Sequence, residues 1–393
     1  MDRTRSKKNV FIYLFLLLLI LAPGLRLSYK YLNVYAGPFF LITSSLIAIF
    51  YFQIVFTNRL QFAQKILESP YFLVLWALII LVFVSHFYPI ADALKLELRG
   101  SDQDDCILMG SAKILQLSHP YIERTYYGNP CSPGPGLLIL YIPFVWAKIY
   151  SLGSVFSMLL MGWAIYKNTS SVYFANTALM LLSSSMLTLD LLATGSDLIL
   201  LGCGIATLSL CLISVINNKS RVSLVILAIF CGLLASSRVN FMILSPLLSV
   251  FIYLHWKRGA VFFMFTALIT SIAPSLIIFL SDPEQFTPLH LVMKSQRILP
   301  TFYTALAIII SALATIFALL KVKNSVSTLP SGVFLALLPA LLAVSLGDLF
   351  FIRDGNFSNW EGANYLMPLI PLASTLIVGL AKNNGLNSPQ RAN

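Results

Sequence analysis

The side chains that could do chemistry gather in one stretch of the chain. Between residues 91 and 134 stand Glu97, Arg99, Asp102, Asp104, Asp105, Lys113, His119, Glu123 and Arg124. The chain as a whole is 58% hydrophobic and only 10% charged. Asp102, Asp104 and Asp105 place three acids in four positions, more than a helix cap needs, and their mutual repulsion disfavours ionising all three. A carboxylate held in such a group suits a general base, which takes the proton from an attacking hydroxyl. From Asp105 the apolar residues Ile107, Leu108, Ala112 and Leu115 recur at helical spacing, which predicts a short amphipathic helix with Ser101 or Asp102 as its N-cap.

His119-Pro-Tyr and then TYYGNPCSPGPG follow. The prolines and glycines from Gly128 to Gly136 predict a turn-rich return toward the next apolar run. Tyr121, Tyr126 and Tyr127 accumulate beside the acids, as they would in a sugar-binding surface or an interfacial belt. Cys106 and Cys131 share this stretch and could pair on an oxidising side. Cys203, Cys211 and Cys231 fall in apolar runs and read as small apolar residues. Further polar residues lie between other runs: Asp190 and Asp197, Arg238, then His290, Lys294 and Arg297, then Arg353, Asp354 and Glu361. An arginine at a membrane surface often only anchors to headgroups, but several converging on the acids would suit a phosphate.

The elements that must position these groups are apolar spans. A soluble chain carries roughly 25% charge, so a soluble enzyme and a disordered tail are both excluded. The net charge of +11 sits in short clusters between apolar runs, which is a topological signal and not a nucleic-acid footprint. About 20 apolar residues cross a hydrocarbon core roughly 30 Å thick. About twelve such runs are expected, near 10–25, 37–57, 71–90, 150–166, 172–189, 197–216, 222–237, 241–256, 260–280, 301–320, 332–351 and 365–381. Arg3, Arg5, Lys7 and Lys8 precede the first run, and LAPGLRLSYK after it offers no small-residue cleavage site, so the run reads as a retained helix. With that end cytoplasmic, Lys167, Lys219, Arg221, Lys257, Arg258, Lys321, Lys323 and Lys382 also fall inside, as the positive-inside bias requires. Both termini are then cytoplasmic and the acidic segment lies outside. Keeping that register requires 135–149 to lie along the outer interface, with Tyr141, Trp146 and Lys148 at headgroup level.

The stretch from Asp104-Asp105 through CILMGSAKILQLSHPYIERTYYGNPCSPGPGLLIL resembles the GT-C class of membrane glycosyltransferases, with an acidic pair, a short helix, a Gly/Pro-Tyr turn and a Pro-rich return. ASSRVNFMILSPLL at 235–248 is similar to a family segment in which a span ends at an Arg. NYLMPLIPL at 364–372 is similar to a late Arg-Tyr-Leu-x-Pro run. Asn364 stands where that run would have its Arg, which would leave Arg353 to stand in. The resemblance implies an all-α, polytopic membrane protein whose long first outer loop is catalytic and carries short interfacial helices. It divides the chain into two added N-terminal helices over 1–70, a core over 71–381 with its outer loop at 91–149, and a cytoplasmic tail over 382–393.

It further implies transfer of a sugar from a polyprenyl-phosphate donor to a glycan, lipid or protein acceptor. The reaction would invert the anomeric carbon at the extracytoplasmic face of the plasma or inner membrane, in the service of cell-envelope polysaccharide. Asp104 is then expected as the base and Asp102 and Asp105 as supporting acids. Arg238 with Arg353, Lys294 or Arg297 would contact the phosphate, and His119, Tyr121 and Tyr127 would lie beside the substrate. No HExxH, paired CxxC or Walker loop is present, and no cofactor is expected, a divalent cation being allowed but not required. Alternatives are a lipid-linked glycan flippase or transporter, which usually places ionisable residues near the midplane, and a polysaccharide polymerase or ligase, whose large outer loop usually comes late.

Overall fold

The computed structural model describes residues 3–57, 60–97, 101–289 and 298–383. Among them the secondary structure is helical, with one isolated β-bridge between Arg124 and Pro130. The helices are α1 (Arg3–Leu21), α2 (Leu25–Leu32), α3 (Ala36–Phe52), α4 (Gln61–Glu68), α5 (Pro70–Ala93), α6 (Asp105–Leu115), α7 (Pro135–Trp146), α8 (Leu152–Thr169), α9 (Val172–Ser183), α10 (Met186–Ala193), α11 (Leu198–Asn218), α12 (Arg221–Ala235), α13 (Leu244–Tyr253), α14 (Lys257–Ser281), α15 (Thr301–Asn324), α16 (Leu329–Gly347) and α17 (Leu369–Asn383).

Every expected span coincides with a helix, but not every helix is long enough to span. Seven segments have the length and apolar character to cross a membrane: Asn9–Leu32, Ala36–Val55, Pro70–Glu97, Leu198–Asn218, Lys257–Ser281, Thr301–Asn324 and Val326–Ile352. An eighth is reached if α9 and α10, bent by 76° at Ser184-Ser185, count as one. The expectation of about twelve is therefore not met. The shortfall lies in α12, α13 and α17, which at 1.5 Å per residue fall short of a 30 Å core, and in α8, which ends in the polar Lys167-Asn168-Thr169.

The burial pattern is that of a polytopic membrane protein. Apolar side chains of α5, α14 and α15, such as Leu78, Val82, Ile269, Ile277, Ile308 and Leu313, face outward, forming apolar surface far beyond what a water-soluble monomer carries. The interior is built around α11, in which every residue from Leu198 to Leu210 is buried. Gly202 lets this helix meet the chain entering α17, since a Cβ there would lie 2.9 Å from the Cα of Pro368.

The described helices within 1–70 pack into the rest of the bundle. Tyr13, Leu16, Ile20, Tyr51 and Ile54 belong to the same buried core as α11. Ser185 donates to the Ile20 carbonyl at 2.9 Å, and Tyr51 meets Ser184 at 2.8 Å. The segment 135–149 does not lie as a surface strip. Leu137, Leu138 and Tyr141 of α7 are fully buried, and exposure is confined to Pro143 and the stretch from Trp146, at 76%, to Ile149. The reason is packing: α6 lies across α7 with Gly110 against Leu138, and Ser111 donates to the Leu138 carbonyl at 2.9 Å. Of the expected 382–393 tail, only Lys382 and Asn383 are among the described residues.

Candidate functional site

The short helix expected from Asp105 is α6, but its N-cap position is Asp104, two residues beyond the expected Asp102, and no side chain caps it. The Asp104 carboxylate is drawn elsewhere. Tyr88 donates to its Oδ2 at 2.6 Å and Lys95 to its Oδ1 at 2.7 Å. Lys95 also pairs with Asp105 and Asp92, each at 2.6 Å. The carboxylates of Asp92, Asp104 and Asp105 thus offer oxygens within 4.8 Å of one another, the arrangement of a cation cage. The Lys95 ammonium already sits among them. Asp104 is 1% exposed. Burial pushes its carboxyl up from its ordinary value, against the lowering pull of Lys95 and Tyr88.

Asp105 uses its other oxygen to accept from the Tyr126 backbone N–H at 2.8 Å, which fixes the far side of the loop to α6. A disulfide between Cys106 and Cys131 closes the same loop. Tyr121 is buried, donates to the Pro133 carbonyl at 2.9 Å and stacks edge-on against Phe286. The Pro-rich return then docks on the turn after α12: the Gly134 N–H donates to the Ser237 carbonyl at 2.6 Å, and a Cβ on Gly134 would collide with the Ser236 carbonyl. Two of the three segments singled out in the sequence are thereby brought into contact.

Beside this loop lies a polar cavity of two adjoining lobes. One, of about 320 Å³, is lined by Asp197, Arg238, Asp348 and Tyr365 among others. The second, of about 420 Å³, is lined by Arg26, Lys30, Tyr127 and Asp190 among others. Asp102, Gln103, Asn129, Glu361 and Asn364 line both, and so form the shared wall. Asp102 accepts a 3.1 Å hydrogen bond from Asn129 Nδ2 and has no cation within ion-pair distance among the described residues. The Gln103 Oε1 is buried without a partner. All the ionisable groups of the cavity stand in loops or near helix ends, at the boundary of the apolar bundle.

The two expected cations among the described residues, Arg238 and Arg353, are already matched by acids. Arg238 donates to both oxygens of Asp197, at 2.9 and 2.7 Å. Burial works against its charge, but Asp197 outweighs burial and the guanidinium is raised from its ordinary value. Arg353 pairs with Glu361 at 2.9 Å and lies 3.6 Å from Asp348. Of the remaining expected residues, Tyr127 lines the cavity, whereas His119 and Tyr121 serve the loop, His119 Nδ1 accepting from the Tyr121 N–H at 3.4 Å. Lys294 and Arg297 lie outside the described residues.

The structure adds groups that the sequence reading passed over. Arg26 and Lys30 stand in LAPGLRLSYK, where i, i+4 spacing on a helix puts both on one face. Lys95 stands three residues after Asp92, the same kind of signal. Asn364, read as a missing Arg, accepts from Arg26 Nη1 at 2.7 Å. In comparisons with known proteins, no family model, no curated protein and no solved structure matches the chain.

Proposed function

We propose that this chain is a membrane glycosyltransferase of GT-C type that moves a sugar from an isoprenoid-phosphate donor to a hydroxyl on a glycan, lipid or protein acceptor, at the extracytoplasmic face. The observation that carries the reading is the two-lobed cavity, with Asp102, a carboxylate that no cation among the described residues pairs, in the wall common to both lobes. A displacement reaction needs that layout: one compartment for the leaving group, one for the attacking hydroxyl, and a base between them. The bond between the anomeric carbon and the phosphate oxygen breaks, and the phosphate leaves with the electron pair. The acceptor oxygen bonds to the same carbon from the opposite face, and its proton passes to the Asp102 carboxylate. Asn129, Asn364 and Gln103 offer hydrogen bonds to sugar hydroxyls along the same wall.

This assignment moves the base from Asp104 to Asp102. Both Asp104 oxygens are engaged and the residue is sealed from the cavity, so its role is to seat Lys95 and hold α6. At the acidic triad the positive charge is supplied by Lys95. The outward orientation of the site is supported by the cationic bias of the opposite loops and by the Cys106–Cys131 pair, which suits an oxidising compartment.

The test is turnover. Purified protein in vesicles, offered a panel of isoprenoid-phosphate sugars, is expected to release isoprenoid phosphate from one of them and to pass the sugar to a hydroxyl acceptor with inverted stereochemistry. Movement of an intact lipid-linked sugar across the bilayer, with no turnover of any donor, would instead identify a flippase.

A further inference from the structure

We infer that the lobe walled by Arg26 and Lys30 is the phosphate subsite, and that the isoprenoid tail of the donor leaves it over α2 and α5. The inference rests on the transferase reading and deepens it, since it assigns the anionic end of the donor to residues of the N-terminal helices and not to Arg238 or Arg353. The first argument is charge matching. Among the described residues three cations line the cavity: Arg26, Lys30 and Arg238. Arg238 has both oxygens of Asp197, so a phosphate there would have to displace a buried carboxylate. Arg26 has no acid partner among the described residues; its Nη1 serves a neutral amide and its buried Nε meets no hydrogen-bond partner among them. Among the described residues Lys30 has only the ring of Tyr31, 5.4 Å away. Asp190 stands within Coulomb range of both cations without reaching ion-pair distance.

The second argument is geometric. Arg26 and Lys30 stand four residues apart on α2 and line one lobe of about 420 Å³. A guanidinium and an ammonium on one helix face can each bond a different oxygen of one phosphate. The third argument separates a lipid phosphate from a free one. The lobe's wall includes Tyr31, Ala91 and Leu94; Tyr31 is 68% exposed, and Phe87 and Ile90, one turn of α5 before Ala91 and Leu94, are exposed. A polar pocket that gives onto an apolar, outward-facing helix suits an amphiphile with a charged head and a hydrocarbon tail. Free phosphate would have no use for the apolar side.

The experiment measures binding of farnesyl phosphate to the purified full-length protein in detergent, for the wild type, Arg26→Gln, Lys30→Gln and Lys113→Gln. Lys113 pairs with Glu123 away from the cavity and serves as the charge control. Because Lys30 is exposed and makes no hydrogen bond among the described residues, Lys30→Gln keeps the fold even if Arg26→Gln does not. Binding is expected to weaken about tenfold or more in Arg26→Gln and Lys30→Gln, as loss of a charge-assisted contact implies, and to be unchanged in Lys113→Gln. Wild-type affinity in Lys30→Gln and Arg26→Gln would overturn the assignment. Competition by inorganic phosphate as strong as by farnesyl phosphate would make the ligand a free phosphate and overturn the lipid part. The transfer assay separates the two levels. Turnover with an unchanged donor KM in Lys30→Gln sinks the subsite and spares the transferase reading, whereas Lys30-dependent binding without turnover of any donor does the reverse.

Discussion

Arg26 donates to Asn364 Oδ1 at 2.7 Å across 338 residues of chain. This single contact ties the N-terminal helices to the segment that leads into α17, and it puts a guanidinium beside Asn364, the position where the run that the sequence resembles would have an Arg. The charge is supplied from the other end of the sequence. Asn364→Ala removes the acceptor of a hydrogen bond from a charged donor and is expected to cost about 2 kcal/mol. Thermal unfolding in detergent checks it, and an unchanged midpoint would show that the contact is not maintained in the membrane protein.

The cage around Lys95 gives a second expectation. Lys95→Met leaves the Asp92, Asp104 and Asp105 carboxylates together without their ammonium, and breaking a buried pair of this kind costs about 3 kcal/mol. Millimolar magnesium or manganese should restore part of that loss in the variant, because three oxygens within reach of one another can hold a hard cation, and should leave the wild type unmoved. A variant as stable as the wild type would mean that the ammonium is not what holds the cage together.

The loop is closed covalently as well. Replacing Cys106 and Cys131 by Ser releases a link between positions 25 residues apart, worth about 3 kcal/mol by loop-closure entropy. The double variant should become sensitive to protease within 107–130, as read by limited proteolysis and mass spectrometry. Resistance equal to the wild type would show that packing on α7 alone secures the loop.

Docking of the loop depends on Gly134. Gly134→Ala drives a methyl group into the Ser236 carbonyl and displaces the 2.6 Å bond to Ser237. Overpacking of this kind costs about 1–3 kcal/mol. Because the same turn carries Arg238, transfer should fall with stability. The paired readout is a thermal midpoint and a turnover rate, and a shift in neither would place the loop's anchoring elsewhere.

Much of this arrangement is legible in the sequence where the signal is local. The helix from Asp105, the Pro-Gly return and the Cys106–Cys131 pairing within one loop all depend on residues close along the chain. The expected span count exceeds the seven or eight long apolar helices because hydropathy records that a run is apolar and not whether its helix is long enough. Helices such as α13 and α17 are apolar because they pack in the protein interior, and in composition such helices and true spans look alike. The cationic lobe was out of reach for a different reason. Arg26, Asp102, Asp190 and Glu361 converge only through tertiary packing, and no spacing rule joins residues hundreds of positions apart. The acids show the same limit in miniature: three carboxylates in four positions mark the site, but only the fold shows that Lys95 and Tyr88 take Asp104 and leave Asp102 facing the cavity.

The most direct test compares Asp102→Asn with Asp104→Asn in a transfer assay using the donor identified from the panel. Loss of a general base costs about 10²–10⁴ in rate. Asp102→Asn should therefore lose turnover by that factor while folding and inserting as the wild type does, and Asp104→Asn should lower stability ahead of activity. Full turnover in Asp102→Asn, or its selective loss in a stably folded Asp104→Asn, would contradict the assignment of Asp102 as the base.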